Sequence, residues 1–174
     1  MRVIAALCAT LIAVVPLAAV ARDQQQLDCP VAGVPAGLAS GMVDKLFVTN
    51  QPAPEMFAAL REGVARCADR FSISQDLRQE YFTYALARLI REELAERIAR
   101  AGVPAGAVDK VADFGPGRSN PVITAMSDEQ GEKLVVAVAA TGVDVTKLTE
   151  ATWNLVGGYI GAASQQYASL RKLE

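Results

Sequence analysis

Apolar residues recur every three or four positions along almost the whole chain, and no segment alternates convincingly with period two. The clearest example is Phe57, Leu60, Val64, Cys67 and Phe71, whose spacings are 3, 4, 3 and 4. Because an α-helix has about 3.6 residues per turn, this spacing places all five side chains on one face of a helix. The sequence therefore predicts an all-α fold, a compact helical bundle of about six helices.

Capping and stop signals divide this pattern into separate helices. The sequence Ser127-Asp128-Glu129-Gln130 is a capping box, and Gly102 and Gly142 stand where a helix ends in a left-handed residue. The predicted helices span residues 38–48, 55–69, 74–101, 105–113, 127–141, and 146 or 149 to 173. A buried strand is the alternative around residues 135–138, because three of those four residues are β-branched valines. The polar residues 22–28 are predicted to be a flexible lead-in.

The first 21 residues resemble a cleavable signal peptide. Arg2 precedes 18 residues without a charge, 3–20, and Ala19-Val20-Ala21 ends them as a small-x-small cleavage site. We therefore expect residues 1–21 to be removed and residues 22–174 to form a single helical domain, periplasmic or secreted, with no membrane span after cleavage. An uncleaved membrane anchor is the alternative, because an uncharged run of this length is just long enough to span a bilayer.

Charge and composition argue against several classes of partner and site. Without Arg2 the chain keeps 16 basic and 19 acidic side chains, a formal charge of 16 − 19 = −3, and neither sign dominates a long stretch. We therefore expect neither a nucleic-acid partner nor a polybasic membrane patch. Histidine is absent, which removes histidine-based nucleophile pairs and the usual imidazole metal ligands. No metal site and no cofactor are predicted.

Two cysteines remain after signal cleavage, Cys29 and Cys67, because Cys8 leaves with the signal peptide. An even pair in an oxidising compartment predicts a disulfide bond, and Cys67 lies on the apolar face described above. The alternative is a pair of buried, reduced thiols. A redox-active pair is disfavoured because the Cys-x-x-Cys spacing is absent.

One hexapeptide occurs twice. Ala-Gly-Val-Pro-Ala-Gly is found at 32–37 and again at 101–106, which is 69 residues later, and Val-Asp-Lys follows each copy at 43–45 and 108–110. A tandem duplication would produce this pattern and would make the domain two related three-helix halves. The alternative is coincidence in a chain rich in alanine, glycine and valine, helped by similar chemistry where helices are joined.

Glu80 is the best candidate for a catalytic residue. It borders the aromatic residues Tyr81, Phe82 and Tyr84, and an apolar wall could raise the pKa of its carboxyl group enough to make it a general acid. The alternative is an exposed glutamate in the first turns of a helix, where negative charge is favoured by the helix dipole.

The last predicted helix contains three glycines, Gly157, Gly158 and Gly161, between Trp153 and Tyr167. Each glycine is less favourable than alanine in a helix interior by about 1 kcal/mol, so a close neighbour is expected there. One interpretation is internal helix packing. The other is a partner groove formed by Trp153, Gly157, Tyr159 and Gly161, with a Gly-x-x-x-Gly contact face.

These observations favour an exported, non-catalytic helical module that binds a protein or a cell-envelope component. The alternative is a carboxylate-dependent hydrolase that acts on envelope polysaccharide with Glu80 as its general acid.

Overall fold

The computed structural model describes residues 23–174, so the predicted signal peptide lies outside the described residues. Within residues 23–174 there are seven α-helices and no strand, which confirms the all-α prediction and makes the valine-rich segment a helix. The helices are α1 Gln24–Ala32, α2 Leu38–Val43, α3 Pro54–Arg70, α4 Arg78–Arg100, α5 Ala105–Ala112, α6 Asp128–Ala139 and α7 Glu150–Leu173. A π-helical turn, Asp44–Val48, continues α2, and short 3₁₀ turns precede α4 and α7.

Helix ends follow the local chemistry of the sequence. Ser127 and Gln130 form the reciprocal capping box at the start of α6, and the Thr149 side chain accepts a hydrogen bond from the backbone N–H of Thr152 at the start of α7. Gly102 and Gly142 have φ angles of 91° and 90°, so both occupy the left-handed region expected after a helix. The predicted boundaries therefore agree with the observed ones to within a few residues.

Helix α1 corrects the prediction of a flexible lead-in. Asp23 caps it by accepting from the Gln25 N–H, but tertiary contacts supply most of its anchoring. Leu27 is buried, and Tyr81 on α4 donates a hydrogen bond to the backbone oxygen of Gln26. Arg88, also on α4, binds the Leu27 backbone oxygen at 3.2 Å. Short helices are marginal without such packing, and a polar local sequence does not show it.

A disulfide bond joins Cys29 on α1 to Cys67 on α3, with Cα atoms 5.9 Å apart. The predicted pairing is therefore the one in the structure. The bond fixes α1 against the apolar face of α3, where Leu60 and Val64 are buried. Cross-linking residues separated by 38 positions reduces the entropy of the unfolded chain.

Helices α4 and α7 form the centre of the molecule and run antiparallel. Glu80, near the start of α4, contacts Ser169 near the end of α7, whereas Arg91 contacts Tyr159 eleven residues farther along α4. One apolar cluster surrounds the later part of α4 and includes Leu94, Val108 and Val138. A second cluster surrounds the start of α4 and joins α1, α2 and α3 to it. The central pair thus contacts both clusters.

The order of helices is the same in the two proposed halves. Each contains a short helix, a middle helix and a long helix, namely α2 to α4 and α5 to α7. Their packing differs, because α3 packs against both α1 and α4, whereas α6 packs mainly against α5. Duplication therefore stays a prediction, which superposition of residues 32–101 on 101–170 would test.

Among residues 23–174, no helix has the length and apolar character needed to cross a membrane.

Candidate functional site

A groove of about 450 Å³ runs between α4 and α7, on the glycine-bearing side of α7. None of the residues that line it within the described chain is charged. Phe47 of the π turn packs at one end, and Thr83 and Gln165 lie at the other. The lining consists of Phe47, Thr83, Leu86, Ala87, Ile90, Gly157, Gly158, Gly161, Ala162 and Gln165.

The three glycines of α7 have different surroundings. A Cβ atom built on Gly158 would lie 2.6 Å from Cε1 of Phe47 and 3.3 Å from Cδ1 of Leu94, so this glycine is needed for packing. Cβ atoms built on Gly157 and Gly161 would have no heavy atom within 4 Å, other than atoms of the adjacent residues and of the nearby α7 backbone. Internal packing therefore explains Gly158 and leaves Gly157 and Gly161 without a structural reason.

The structure brings together only part of the predicted groove. Gly157 and Gly161 lie side by side in it, but Tyr159 is buried and belongs to the opposite side of α7. Two positions along a helix correspond to a rotation of about 200°, which accounts for this difference. Trp153 is half-buried against the core cluster and does not line the groove.

Sequence reasoning missed the α4 wall and the end formed by Phe47. Thr83 and Ala87 are small residues four positions apart on α4, a spacing that could have indicated a second close-approach surface. The sequence contains no local sign that this face of α4 lies beside Gly157 and Gly161. That neighbourhood arises only when two helices far apart in the chain pair.

Tyr159 belongs to a polar network that connects α4, α5 and α7. Its hydroxyl donates to Asp109 at 2.8 Å and accepts from Arg91 at 3.2 Å, and Arg91 also pairs with Asp109 at 3.1 Å. The Arg91 guanidinium carbon lies 5.5 Å from the ring centre of Tyr159 and 5.1 Å from that of Tyr167. Burial raises the pKa of Tyr159 to about 12, so its hydroxyl stays protonated at neutral pH. The network of Arg91, Asp109 and Tyr159, called the clamp below, therefore links the three helices.

Glu80 lies in a polar setting rather than against an apolar wall. Its carboxylate accepts a hydrogen bond from Lys172 at 2.7 Å and another from Ser169 at 3.1 Å. The bond from Lys172 is the main reason that the pKa of Glu80 is below its ordinary value. A general acid at neutral pH needs the opposite shift, so this environment opposes the catalytic alternative for Glu80.

We expect Glu80→Gln to destabilise the protein near neutral pH and to have less effect in acid. A carboxyl group whose pKa is lowered on folding contributes stability above its unfolded pKa, about 4.3, and loses that contribution as pH falls through its folded pKa. Urea denaturation of both proteins at several pH values measures the difference in unfolding free energy. A difference that grows toward low pH would contradict the Glu80–Lys172 interaction, and Glu132→Gln on α6 is the control.

Replacing two of the glycines separates packing from open space. Gly161→Ala should raise the free energy of unfolding by up to about 1 kcal/mol, because alanine favours the helix and meets no neighbour. Gly158→Ala should lower it by about 1–3 kcal/mol, because the new methyl group would overlap the Phe47 ring. Thermal melting of both variants measures the shifts. A lowered melting temperature for Gly161→Ala would show that this position is packed.

No protein-family model, no curated protein and no solved structure matches the chain.

Proposed function

We propose that this chain is an exported, non-catalytic helical module that binds an apolar helical segment of a cell-envelope protein in the groove between α4 and α7. The observation that carries the proposal is the open space at Gly157 and Gly161. Both glycines weaken α7, and neither is needed for internal packing. Natural sequences tend to break local rules where a contact or a function requires it.

The shape and chemistry of the groove support a helix as the ligand. From Gly157 to Gln165 it follows nine residues of α7, a length of about 12 Å or two helical turns. Bare glycine backbone on α7 and the small side chains of Thr83 and Ala87 on α4 would let a third helix approach closely. The uncharged lining matches an apolar face of that helix, because a charge buried there would have no partner.

Two sequence features support export, Arg2 with its uncharged run and the Ala19-Val20-Ala21 site. The Cys29–Cys67 disulfide agrees with an oxidising compartment such as the periplasm or the exterior. Mass spectrometry of the protein expressed in a Gram-negative host tests this point directly. Arg22 should be the first residue, and a full-length, membrane-retained product would contradict export.

Lys172 lowers the pKa of the Glu80 carboxyl group, which is the opposite of the shift that the hydrolase alternative requires.

Site-specific cross-linking tests the groove. We would place a photoreactive residue at Gln165, at the edge of the groove, and identify the envelope protein and the segment that it captures. Gly161→Leu should reduce capture at least tenfold, because the leucine side chain would occupy the groove. Gly131→Leu on α6 is the matched control, since a Cβ atom there also meets nothing within 4 Å.

The melting temperature of each variant shows whether it folds. Capture of one apolar helical segment that Gly161→Leu removes and Gly131→Leu preserves would support the proposal. Equal capture by both folded variants, or capture of a polar segment, would show that the groove is not the binding site.

A further inference from the structure

A second cavity, of about 560 Å³, lies between α5 and α6. Small or apolar side chains, among them Val111 on α5 and Ala137 on α6, form most of its lining. Lys110 on α5 and Lys133 on α6 are the charged residues that the described chain contributes to it. The cavity therefore combines an apolar surface with one ammonium group from each of the two helices.

Among the described residues, neither lysine is held in a buried ion pair. Lys110 makes no ion pair within the part of the chain that the structure describes. Lys133 binds Glu129 at 2.6 Å, but both side chains are largely exposed, and such surface pairs are weak enough to be exchanged for another anion. Asp109 of α5 is engaged with Arg91 on α4. The lining has no acidic residue, so its electrostatic complement is an anion.

The apolar surface continues beyond the cavity along α6. Val136 is 67% exposed and lies four positions before Ala140, so the two share one face of the helix. Lys133 is three positions before Val136 and belongs to the same face. A ligand whose head group binds between the lysines could therefore extend an apolar chain over Ala137, Ala140 and Val136.

We propose that the cleft between α5 and α6 binds an anionic amphiphile, a single alkyl or acyl chain ending in a phosphate or carboxylate group. Lys110 and Lys133 bind the head group, and the apolar residues of α5 and α6 bind the chain. Clefts of this volume are typical for small-molecule ligands. This site is separate from the α4–α7 groove, with which it shares no lining residue among those described.

Isothermal titration calorimetry with decyl phosphate, below its critical micelle concentration, tests the proposal. The double variant Lys110→Gln/Lys133→Gln should bind at least tenfold more weakly than the original protein. The control Lys45→Gln/Lys147→Gln makes the same charge change at two lysines that do not line the cleft, and its affinity should stay within twofold of the original. Octyl phosphate should bind about 15-fold more weakly, because two buried methylenes are lost.

A probe without the charged head group and a probe without the alkyl chain measure what each part of the ligand contributes to affinity. Decanol should bind more weakly than decyl phosphate, and inorganic phosphate more weakly still. Gly161→Leu should leave decyl phosphate binding unchanged, since it fills only the other groove. Any of four results would overturn the proposal: no saturable binding, equal losses in the two double variants, inorganic phosphate binding as tightly as decyl phosphate, or loss of binding in Gly161→Leu.

Discussion

Arg91→Ala is expected to lower the free energy of unfolding by about 3 kcal/mol, near the lower end of what breaking a buried ion pair costs. The Arg91 and Asp109 side chains are 18% and 22% exposed, so most of their interaction takes place away from water. Removing the guanidinium leaves Asp109 with the Tyr159 hydroxyl as its remaining partner in the network. It also removes the stacking of a cation on two tyrosine rings.

Urea denaturation measures this effect as a shift of the midpoint at constant slope. Arg100→Ala is the matched control, because Arg100 is on the same helix but 65% exposed, and its loss should change stability by less than about 0.5 kcal/mol. In the double variant Arg91→Ala/Asp109→Ala, the loss should be smaller than the sum of the two single losses. Additive losses would show that the two residues do not interact.

This network also determines how α7 lies against α4. Tyr159 projects from the side of α7 opposite Gly157 and Gly161, so the clamp and the groove occupy opposite sides of the same helix pair. Arg91 thereby holds in place the two helices whose separation sets the width of the groove. A stable central pair is what a preformed binding groove requires.

Helix positions could be predicted because they depend on local chemistry, and the disulfide because only two cysteines remain after the predicted signal cleavage. The capping box at Ser127 and the left-handed Gly102 act within one turn of the chain, and their effects are visible in a short window. The spacing of its neighbours alone predicts that Cys67 lies on a buried face, as it does. Helix α1 could not be recognised in this way, because Tyr81 and Arg88, which hold it, lie more than 50 residues away.

The candidate site was only partly visible for the same reason. Gly157 and Gly161 break a local rule that is visible in the sequence, whereas the residues of α4 that face them have no unusual local feature. The sequence does not predict the direction of the Glu80 pKa shift, because the neighbours of Glu80 in sequence are aromatic, while its neighbours in space are Lys172 and Ser169. The direction of a pKa shift depends on spatial neighbours, and these two are about ninety residues away in the chain.

Removing the disulfide by Cys29→Ser/Cys67→Ser is expected to lower the free energy of unfolding by up to about 4 kcal/mol, because the unfolded chain regains the freedom of a loop that spans 38 positions. Tyr81 and Arg88 still hold α1, so we expect a loosened helix rather than an unfolded protein. Hydrogen exchange should accelerate most in α1, Gln24–Ala32, and least in α4 and α7.

Treating the original protein with dithiothreitol should reproduce the loss of stability, whereas the serine variant should not respond. Equal stability of the two proteins without reductant would contradict the bond. Because the groove is built from α4, α7 and the π turn, partner capture should survive in the serine variant below its melting temperature. Loss of capture in that folded variant would mean that α1 contributes to binding.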